Sequence, residues 1–523
     1  IKAANLNLTA NSKRNITSYV AAGSAGVGAV SGSVLVILVG SKQSDDAETA
    51  MTGKNGNNVS SNSQKSIDGA LINASSLTKE NLKLDITGYF TEETANATTA
   101  RIGSGTVITL TGDAKINAAE TTTVTAYVGS ASAGVVAAGG AVAIAILNGT
   151  VQVEINGTIN ANGTVTINAE NQITSNAFKA VAGSAGFIGL GAAVAYMDVT
   201  GTTKVLIGST GSISAAKGIL AESNLIIYVN PTADGYGVGW ASAGMAASRL
   251  KVTGKTLITA NAGSKLASAN GDVSLNAIQN ITSKAVTTAA GGGYVGTGAA
   301  ALAFVDIESE TTINSAASVE AAKGTYGLLA QQILNAEVES KGLSVAFYGA
   351  IGAAVARMTV KPTVKAAISG GTIVAKNLAV KALFNVNNNS TYTKTGKITA
   401  NALAGTGGGA VAASGAKAEI TVDGSAAAAV ENATVTLTGN ADVISRANGS
   451  ITGKGEGLSV AGLVPVGGVE VTIQNTFDTT AQIIRTTITG ARNVTVLADY
   501  DGTVNGTAKG TAGGLLVAGT AQS

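Results

Sequence analysis

Residues 164–195 read TVTINAENQITSNAFKAVAGSAGFIGLGAAVA, an alternating run that leads into a block rich in glycine and alanine. In the run, Val165 and Ile167 alternate with polar side chains, and a period of two places alternate residues on opposite faces of a strand. β-Branched residues favour that geometry. The stretch therefore predicts strands rather than helices.

The same pattern returns along the chain at an almost constant spacing. Successive Gly/Ala blocks begin about 51 to 59 residues apart, which indicates an imperfect repeat of about 54 residues. The alternating run recurs at residues 272–276, 377–380 and 493–496. The words Asn-Ile-Thr-Ser at residues 15–18 and 280–283, and Gln-Ile-Thr-Ser at 172–175, also recur. The glycines that anchor the blocks are Gly140, Gly191, Gly244, Gly298, Gly352, Gly409 and Gly468.

A repeat that keeps its phase indicates a β-solenoid, in which each turn lies on the turn below and equivalent residues form columns ~4.8 Å apart. We predict an all-β fold, a right-handed parallel β-helix built from the repeats of about 54 residues. Asn residues of the recurring words would stack at a turn. If one turn takes ~18 to 27 residues, the chain makes ~19 to 29 turns and a rod ~90 to 140 Å long.

The Gly/Ala blocks alternate small with larger apolar side chains. We expect Val142 and Ile144 to point inward and Ala141 and Ala143 to point outward. The outer face would then be flat and apolar, suited to packing against another sheet or a neighbouring molecule. The alternative is that the chain itself covers this face.

Three stretches without charged residues, 15–41, 121–153 and 285–305, raise the possibility of membrane-spanning helices. The period-two pattern opposes helices, as do the many glycines, each of which costs ~1 kcal/mol inside a helix. An outer-membrane barrel would need aromatic girdles, and only 4% of the residues are aromatic. We therefore predict no transmembrane segment.

One section departs from the repeat. Residues 42–101 contain no Gly/Ala block, and their charged residues are about twice as dense as elsewhere. We predict solenoid turns over residues 1–41, a polar insertion or degenerate repeat over 42–101, and a continuous solenoid over 102–523. The insertion holds the densest carboxylates, which we expect in a solvated loop: Asp45, Asp46, Glu48, Glu92 and Glu93.

The composition of the 523 residues excludes most enzyme classes. The chain has no His and no Cys, so it lacks the common general base, the thiol nucleophile and the usual ligands of zinc, copper and haem. The net charge is +2 without a basic stripe, so no nucleic-acid partner is expected. We predict no catalytic residue, no metal site and no cofactor. Trp240, the single tryptophan, is expected to fill the core, the alternative being a platform for sugars.

The sequence of alternating run, turn and Gly/Ala block in residues 164–195, and again in 272–300, resembles the leukotoxin-like filamentous adhesins. These are very large exoproteins of anaerobic bacteria with a Gram-negative envelope. The resemblance covers nearly the whole chain apart from the insertion. It implies a β-helical passenger that is exported across the outer membrane by a type V or two-partner route and is displayed or released as a fibre. It brings no catalytic residue set.

Three functional hypotheses follow. The first is an extracellular structural and adhesive β-solenoid, an internal section of a longer protein, with residues 42–101 as the predicted site for a host-cell or matrix receptor. The second is a self-assembling filament or surface-layer subunit whose Gly/Ala faces pack laterally and whose ends stack. The third is a β-helical enzyme acting on polysaccharides, which would need carboxylates converging on one face.

Overall fold

The computed structural model describes residues 1–43, 90–92, 97–389 and 392–523. These residues form strands and no helix, so the fold is all-β as predicted. One sheet contains 23 strands, and β3 and β4 form a separate antiparallel pair. The strands are β1 (Lys2–Ala3), β2 (Leu6–Val39), β3 (Ser41–Gln43), β4 (Phe90–Glu92), β5 (Ala97–Ile102), β6 (Val107–Leu110), β7 (Ala114–Ile155), β8 (Thr158–Ala161), β9 (Thr164–Ile207), β10 (Ser212–Ala215), β11 (Gly218–Val229), β12 (Pro231–Ala260), β13 (Lys265–Ser268), β14 (Val273–Ser315), β15 (Ser318–Ala346), β16 (Gly349–Ile368), β17 (Thr372–Phe384), β18 (Lys397–Gly408), β19 (Val411–Glu431), β20 (Thr434–Leu437), β21 (Asn440–Ala461), β22 (Val464–Ile484), β23 (Thr487–Thr489), β24 (Asn493–Gly513) and β25 (Ala518–Gln522).

The strands of the large sheet pair in parallel with strands much further along the chain. Gly191 of β9 pairs with Gly244 of β12, which in turn pairs with Ala299 of β14. Most partners lie 51 to 55 residues apart. Parallel pairing at a nearly constant offset is what a β-solenoid requires, because each turn must lie on the last.

The register does not support the assumption of ~18 to 27 residues per turn, because most partners lie 51 to 55 residues apart, two to three times that number. If this offset is one turn, about nine turns stacked at ~4.8 Å would give a length of ~40 Å instead of ~90 to 140 Å. The additional residues of each turn widen the cross-section instead of lengthening the stack. The stretches considered as membrane-spanning helices form strands instead, so the helical interpretation is wrong for residues 15–41, 121–153 and 285–305.

Two steps between turns are longer than the others. Leu6 pairs with Ala114, 108 residues later, and the predicted insertion lies within this step. Residues 44–89 and 93–96 of that insertion lie outside the described residues, and β5 at its end pairs in parallel with β7. Asn335 pairs with Lys397, 62 residues later.

The alternating runs supply the core of the solenoid body. The first inward residues of successive runs form one column, and all but the last are buried: Val165, Ile219, Val273, Tyr326, Leu378, Ala441 and Val494. The recurring four-residue motifs at 172–175 and 280–283 are in the same register, because their first residues both pair with Ile226, which lies in the turn between them. The motif that begins at Asn15 is shifted by two positions from that register. All three words lie inside strands, so the prediction that their Asn residues stack at a turn is wrong.

A column of polar side chains also runs through the body interior. Glu120, Asn171, Gln279 and Gln332 occupy this column and are almost fully buried, with Leu225 between Asn171 and Gln279. Thr98 donates to Glu120 at 3.0 Å, and Arg14 forms a short ion pair with the same carboxylate. Such groups are costly to bury without partners, so the column favours one register between turns.

Side chains at one corner bond to the backbone of the next turn. The Asp113 N–H donates to Asn5 Oδ1 at 2.8 Å, and the Thr164 N–H donates to Asp113 Oδ1 at 2.7 Å. The same contact recurs between Thr325 and Asp272 at 2.7 Å. The hydrogen bond from the Thr164 backbone lowers the pKa of Asp113 below its usual range.

We expect this corner to loosen in acid. Because the pKa of Asp113 is lower in the folded chain, its carboxylate stabilises the corner above its usual pKa, and that stability is lost as the pH falls through the lowered value. The protection of the Thr164 amide against hydrogen exchange should decrease over this range. In Asp113→Asn, whose amide oxygen also accepts a bond, protection should not change there, and in Asp113→Ala it should be low throughout. Equal protection of Thr164 in all three proteins would contradict the assignment.

Candidate functional site

The Gly/Ala blocks form a projection from the solenoid body. In each turn one strand segment runs outward and a second returns beside it, and hydroxyl groups join the two. Ser242 Oγ donates to the Gly292 carbonyl at 3.0 Å, and Thr297 Oγ1 and Ser344 Oγ are 2.5 Å apart. We call the two stacked segments the fin, and the residues at the bend between them the fin tip. In the turn that contains Phe187, the fin comprises residues 180–197.

Most side chains between the two segments of the fin are small. A Cβ atom on Gly291 would lie 2.5 Å from the carbonyl oxygen of Gly298 on the opposite segment. One on Gly235 would overlap the carbonyl oxygen of Met245. Packed sheets ordinarily lie ~10 Å apart to make room for side chains. The fin segments approach more closely, and their inner faces therefore consist mainly of glycine, alanine, serine and threonine, with Val469 near the fin base as a larger exception.

This packing reverses the predicted orientation of the Gly/Ala blocks. Ala141 and Ala143 are fully buried between the segments, while Val142 and Ile144 point outward. The prediction that valine and isoleucine point inward is wrong because their side chains are too large for the gap. The larger apolar residues therefore cover both outer faces of the fin.

The fin tip carries exposed apolar side chains in a column parallel to the solenoid axis. Trp240 is 45% exposed, so the prediction that it fills the core is wrong. Its ring lies 5.5 Å from that of Phe187 and 4.7 Å from that of Tyr294, and Tyr294 stacks on Phe347 at 5.1 Å. Both faces of the Trp240 ring are occupied, so only ring edges face outward. The exposed tip residues are Val27, Val135, Phe187, Trp240, Tyr294, Phe347, Leu463 and Leu516.

Charged side chains mark the base of the fin on both of its faces. Asp234 and Arg249 flank the tip residue Trp240, and no charged residue lies between them. Lys179 Nζ contacts the Asp234 carboxylate at 2.7 Å, and this hydrogen bond raises the pKa of Lys179. The same flanking occurs in other turns, by Lys179 and Asp198, Lys284 and Asp306, Lys341 and Arg357, and Glu456 and Glu470.

The carboxylates singled out in the sequence do not extend this site. Asp45, Asp46, Glu48 and Glu93 lie outside the described residues, and Glu92 ends β4. Within the part of the chain that the structure describes, no three acidic side chains come together as a metal site would require.

Among the described residues there is no helix with the length and apolar character needed to cross a membrane.

No protein-family model, curated protein or solved structure matches the chain. The resemblance to the leukotoxin-like adhesins therefore depends on the sequence pattern alone.

Sequence reasoning missed the fin tip, although the sequence holds a signal for it. A large apolar residue directly follows a glycine near the middle of several blocks, as in Gly186-Phe187, Gly239-Trp240 and Gly293-Tyr294. Their stacking becomes visible only when the offset between turns is known.

Two adjacent glycines test the packing inside the fin. Gly291 faces the opposite segment, whereas a Cβ atom on Gly292 would have nothing within 4 Å. Neither has a positive φ, so alanine is compatible with both backbones. We expect Gly291→Ala to destabilise the fin by ~1 to 3 kcal/mol through overpacking. Gly292→Ala should be neutral or stabilising by ~0.4 to 1 kcal/mol.

The measurement is urea-induced unfolding followed by the fluorescence of Trp240, which lies in the neighbouring turn. Equal unfolding midpoints for the two variants would contradict the close packing of the segments.

Proposed function

We propose that the chain is a non-enzymatic structural and adhesive β-solenoid, a section of a bacterial surface or secreted exoprotein of the leukotoxin-like type. In this proposal the solenoid is right-handed and one turn corresponds to one sequence repeat of about 54 residues. The observation that carries it is the recurrence of the fin from turn to turn of one continuous sheet. The sheet thereby presents similar apolar tip residues at steps of ~4.8 Å.

Repetition of this kind suits adhesion. Contacts that are weak one at a time become strong together when a rigid support holds them at fixed spacing. The support here is a parallel sheet whose turns are joined by backbone hydrogen bonds and by side-chain ladders. Asn168 Nδ2 donates to Asn117 Oδ1 at 2.9 Å, and Lys417 contacts Glu470 at 3.0 Å in the next turn.

The number of residues per turn favours a wide exposed surface over a long stalk. A turn of about 53 residues advances the stack by only ~4.8 Å, so a shorter turn would give a longer stalk from the same number of residues. About 20 residues of each turn form the fin. We infer that selection has favoured the surface that the fin provides.

Self-assembly is the second candidate, because the fin exposes apolar residues on both outer faces. Val238 is 56% exposed and Ile351 is 64% exposed, on opposite faces. Lateral packing would use these larger side chains, since the Gly/Ala faces named in the original hypothesis lie inside the fin. Sedimentation velocity over a wide range of concentrations separates the candidates. A single species throughout supports the adhesive section, and a concentration-dependent increase in mass supports the filament.

Removal of the insertion tests where a specific receptor binds. Gln43 pairs with Phe90 in the antiparallel ladder of β3 and β4, so residues 44–89 can be replaced by an Asn-Gly turn without moving the strands. We expect binding to host cells or matrix to fall at least tenfold while the circular dichroism spectrum and melting temperature are unchanged. The measurement is equilibrium binding of labelled protein to cells or to coated matrix.

The matched control replaces residues 388–393, which follow Val386 and precede Lys394 in a second antiparallel bridge, by a turn of the same type. This variant should bind as the unaltered chain does. If deletion of residues 44–89 leaves binding unchanged, the receptor site is not in the insertion.

A further inference from the structure

We propose that the fin inserts tip-first into the outer part of a lipid bilayer. The inference deepens the adhesive function by naming the partner class, and it therefore rests on that function. It starts from the distribution of apolar surface. The tip and both outer faces of the fin are apolar, with Val345 and Ile351 each 64% exposed on opposite faces and Phe347 57% exposed at the tip.

Lipid covers all three of these surfaces at once. A second copy of the chain that packed against one outer face would leave the other face and much of the tip in water. A soluble receptor with a groove could enclose a single tip, but the tip residues form a ridge that continues over several turns. A fluid apolar medium adapts to such a ridge, and acyl chains are the medium of that kind available at a cell surface.

The backbone of the fin tip is compatible with an environment that lacks water. Unpaired N–H and C=O groups are costly in lipid, and bends normally expose them. In the C-terminal half of the fin the bends themselves bond to neighbouring turns. The Tyr348 N–H donates to the Tyr294 carbonyl at 3.0 Å, and the Leu516 N–H donates to the Leu463 carbonyl at 2.9 Å. The hydrogen-bond ladder therefore continues through the tip from Tyr294 to Leu516, whereas the pairing skips the tip residue in the turns of Phe187 and Trp240.

The charged residues at the fin base set a limit to insertion. Trp240 lies six positions after Asp234 and nine positions before Arg249. At ~3.3 Å per residue the apolar depth is ~20 Å on one face and ~30 Å on the other. The hydrocarbon core of a bilayer is ~30 Å thick, so the apolar depth exceeds that of one leaflet, ~15 Å. Insertion into one leaflet therefore leaves the charged side chains outside the hydrocarbon, at or above the headgroups.

These charges also predict the kind of lipid surface. The base carries both signs, as in the pairs Lys179 with Asp234 and Lys251 with Asp198. A mixed rim gives no net attraction to anionic headgroups, so burial of apolar surface must supply the affinity. We therefore expect binding to neutral phosphatidylcholine vesicles and little dependence on salt.

Trp240 is a built-in probe for the experiment, since it is the single tryptophan and lies at the fin tip. The full chain is mixed with phosphatidylcholine vesicles, separated by flotation, and examined by fluorescence. We expect the protein to float with the vesicles and the Trp240 emission to shift to shorter wavelength. Phosphatidylcholine brominated along its acyl chains should quench that emission. Adding 0.5 M salt, or ~30% phosphatidylserine, should change binding less than threefold.

Two double variants make the test specific. Phe187→Asp with Phe347→Asp places charges at the tip and keeps Trp240, and vesicle binding should fall at least tenfold. Val107→Asp with Tyr228→Asp places the same charges on exposed apolar residues of the body, and binding should be unchanged. Melting temperatures of both variants establish that they fold.

Three results would overturn the inference. They are absence of flotation, equal flotation of the two variants, or a Trp240 shift that appears without lipid as the protein dimerises. The last result would show that a second copy of the chain, and not lipid, covers the fin. If cells still bind the chain while vesicles do not, the adhesive function stands and lipid is not its partner.

Discussion

The close approach of the two fin segments is the constraint on which the surface of this protein depends. Because a Cβ atom on Gly235 or Gly291 would meet the opposite backbone, the inner faces admit mainly small side chains. The larger apolar residues of the same strands, such as Val142 and Ile144, must then face outward. In an ordinary sheet packing the same alternation would place them in the core. The apolar exterior of the fin is thus a consequence of its narrow interior.

A narrow Gly/Ala interior specifies its own register poorly, since neighbouring small residues are nearly interchangeable. The body supplies the missing specificity. Slipping one turn by one residue would move buried Asn171 or Gln279 from the interior to the surface and bring outward residues inside. It would also break the corner contact between Thr164 and Asp113. The stacked rings of the tip are therefore held in line by contacts that lie on the body, far from the tip.

The sequence was sufficient to predict strands because alternation is a local signal, as in Val165 and Ile167. It could not predict which face of the 141–146 run lies inside, since alternation separates two sets of residues without ordering them. That order is set by the distance to the opposite segment. The length of a turn was inaccessible for a similar reason. Gly191 could pair with a residue half a repeat or a whole repeat away, and only the structure shows its partner, Gly244. The prediction that Trp240 lies in the core was wrong for both reasons, because its environment depends on which face of the block lies inside and on which residues are its neighbours in adjacent turns.

The fin and the body depend on each other in a way that explains the wide turn. Two segments in contact through glycine and alanine bury little apolar surface per residue, so the fin has weak support of its own. Its strands continue directly into the body, where Ile167, Val199 and Val205 fill a conventional core. Stability gained in the body thereby fixes the fin, whose exposed apolar residues would otherwise favour collapse. A chain that displays such a surface at successive turns needs a body wide enough to hold it, and this requirement fits the 51 to 55 residues that separate most paired positions.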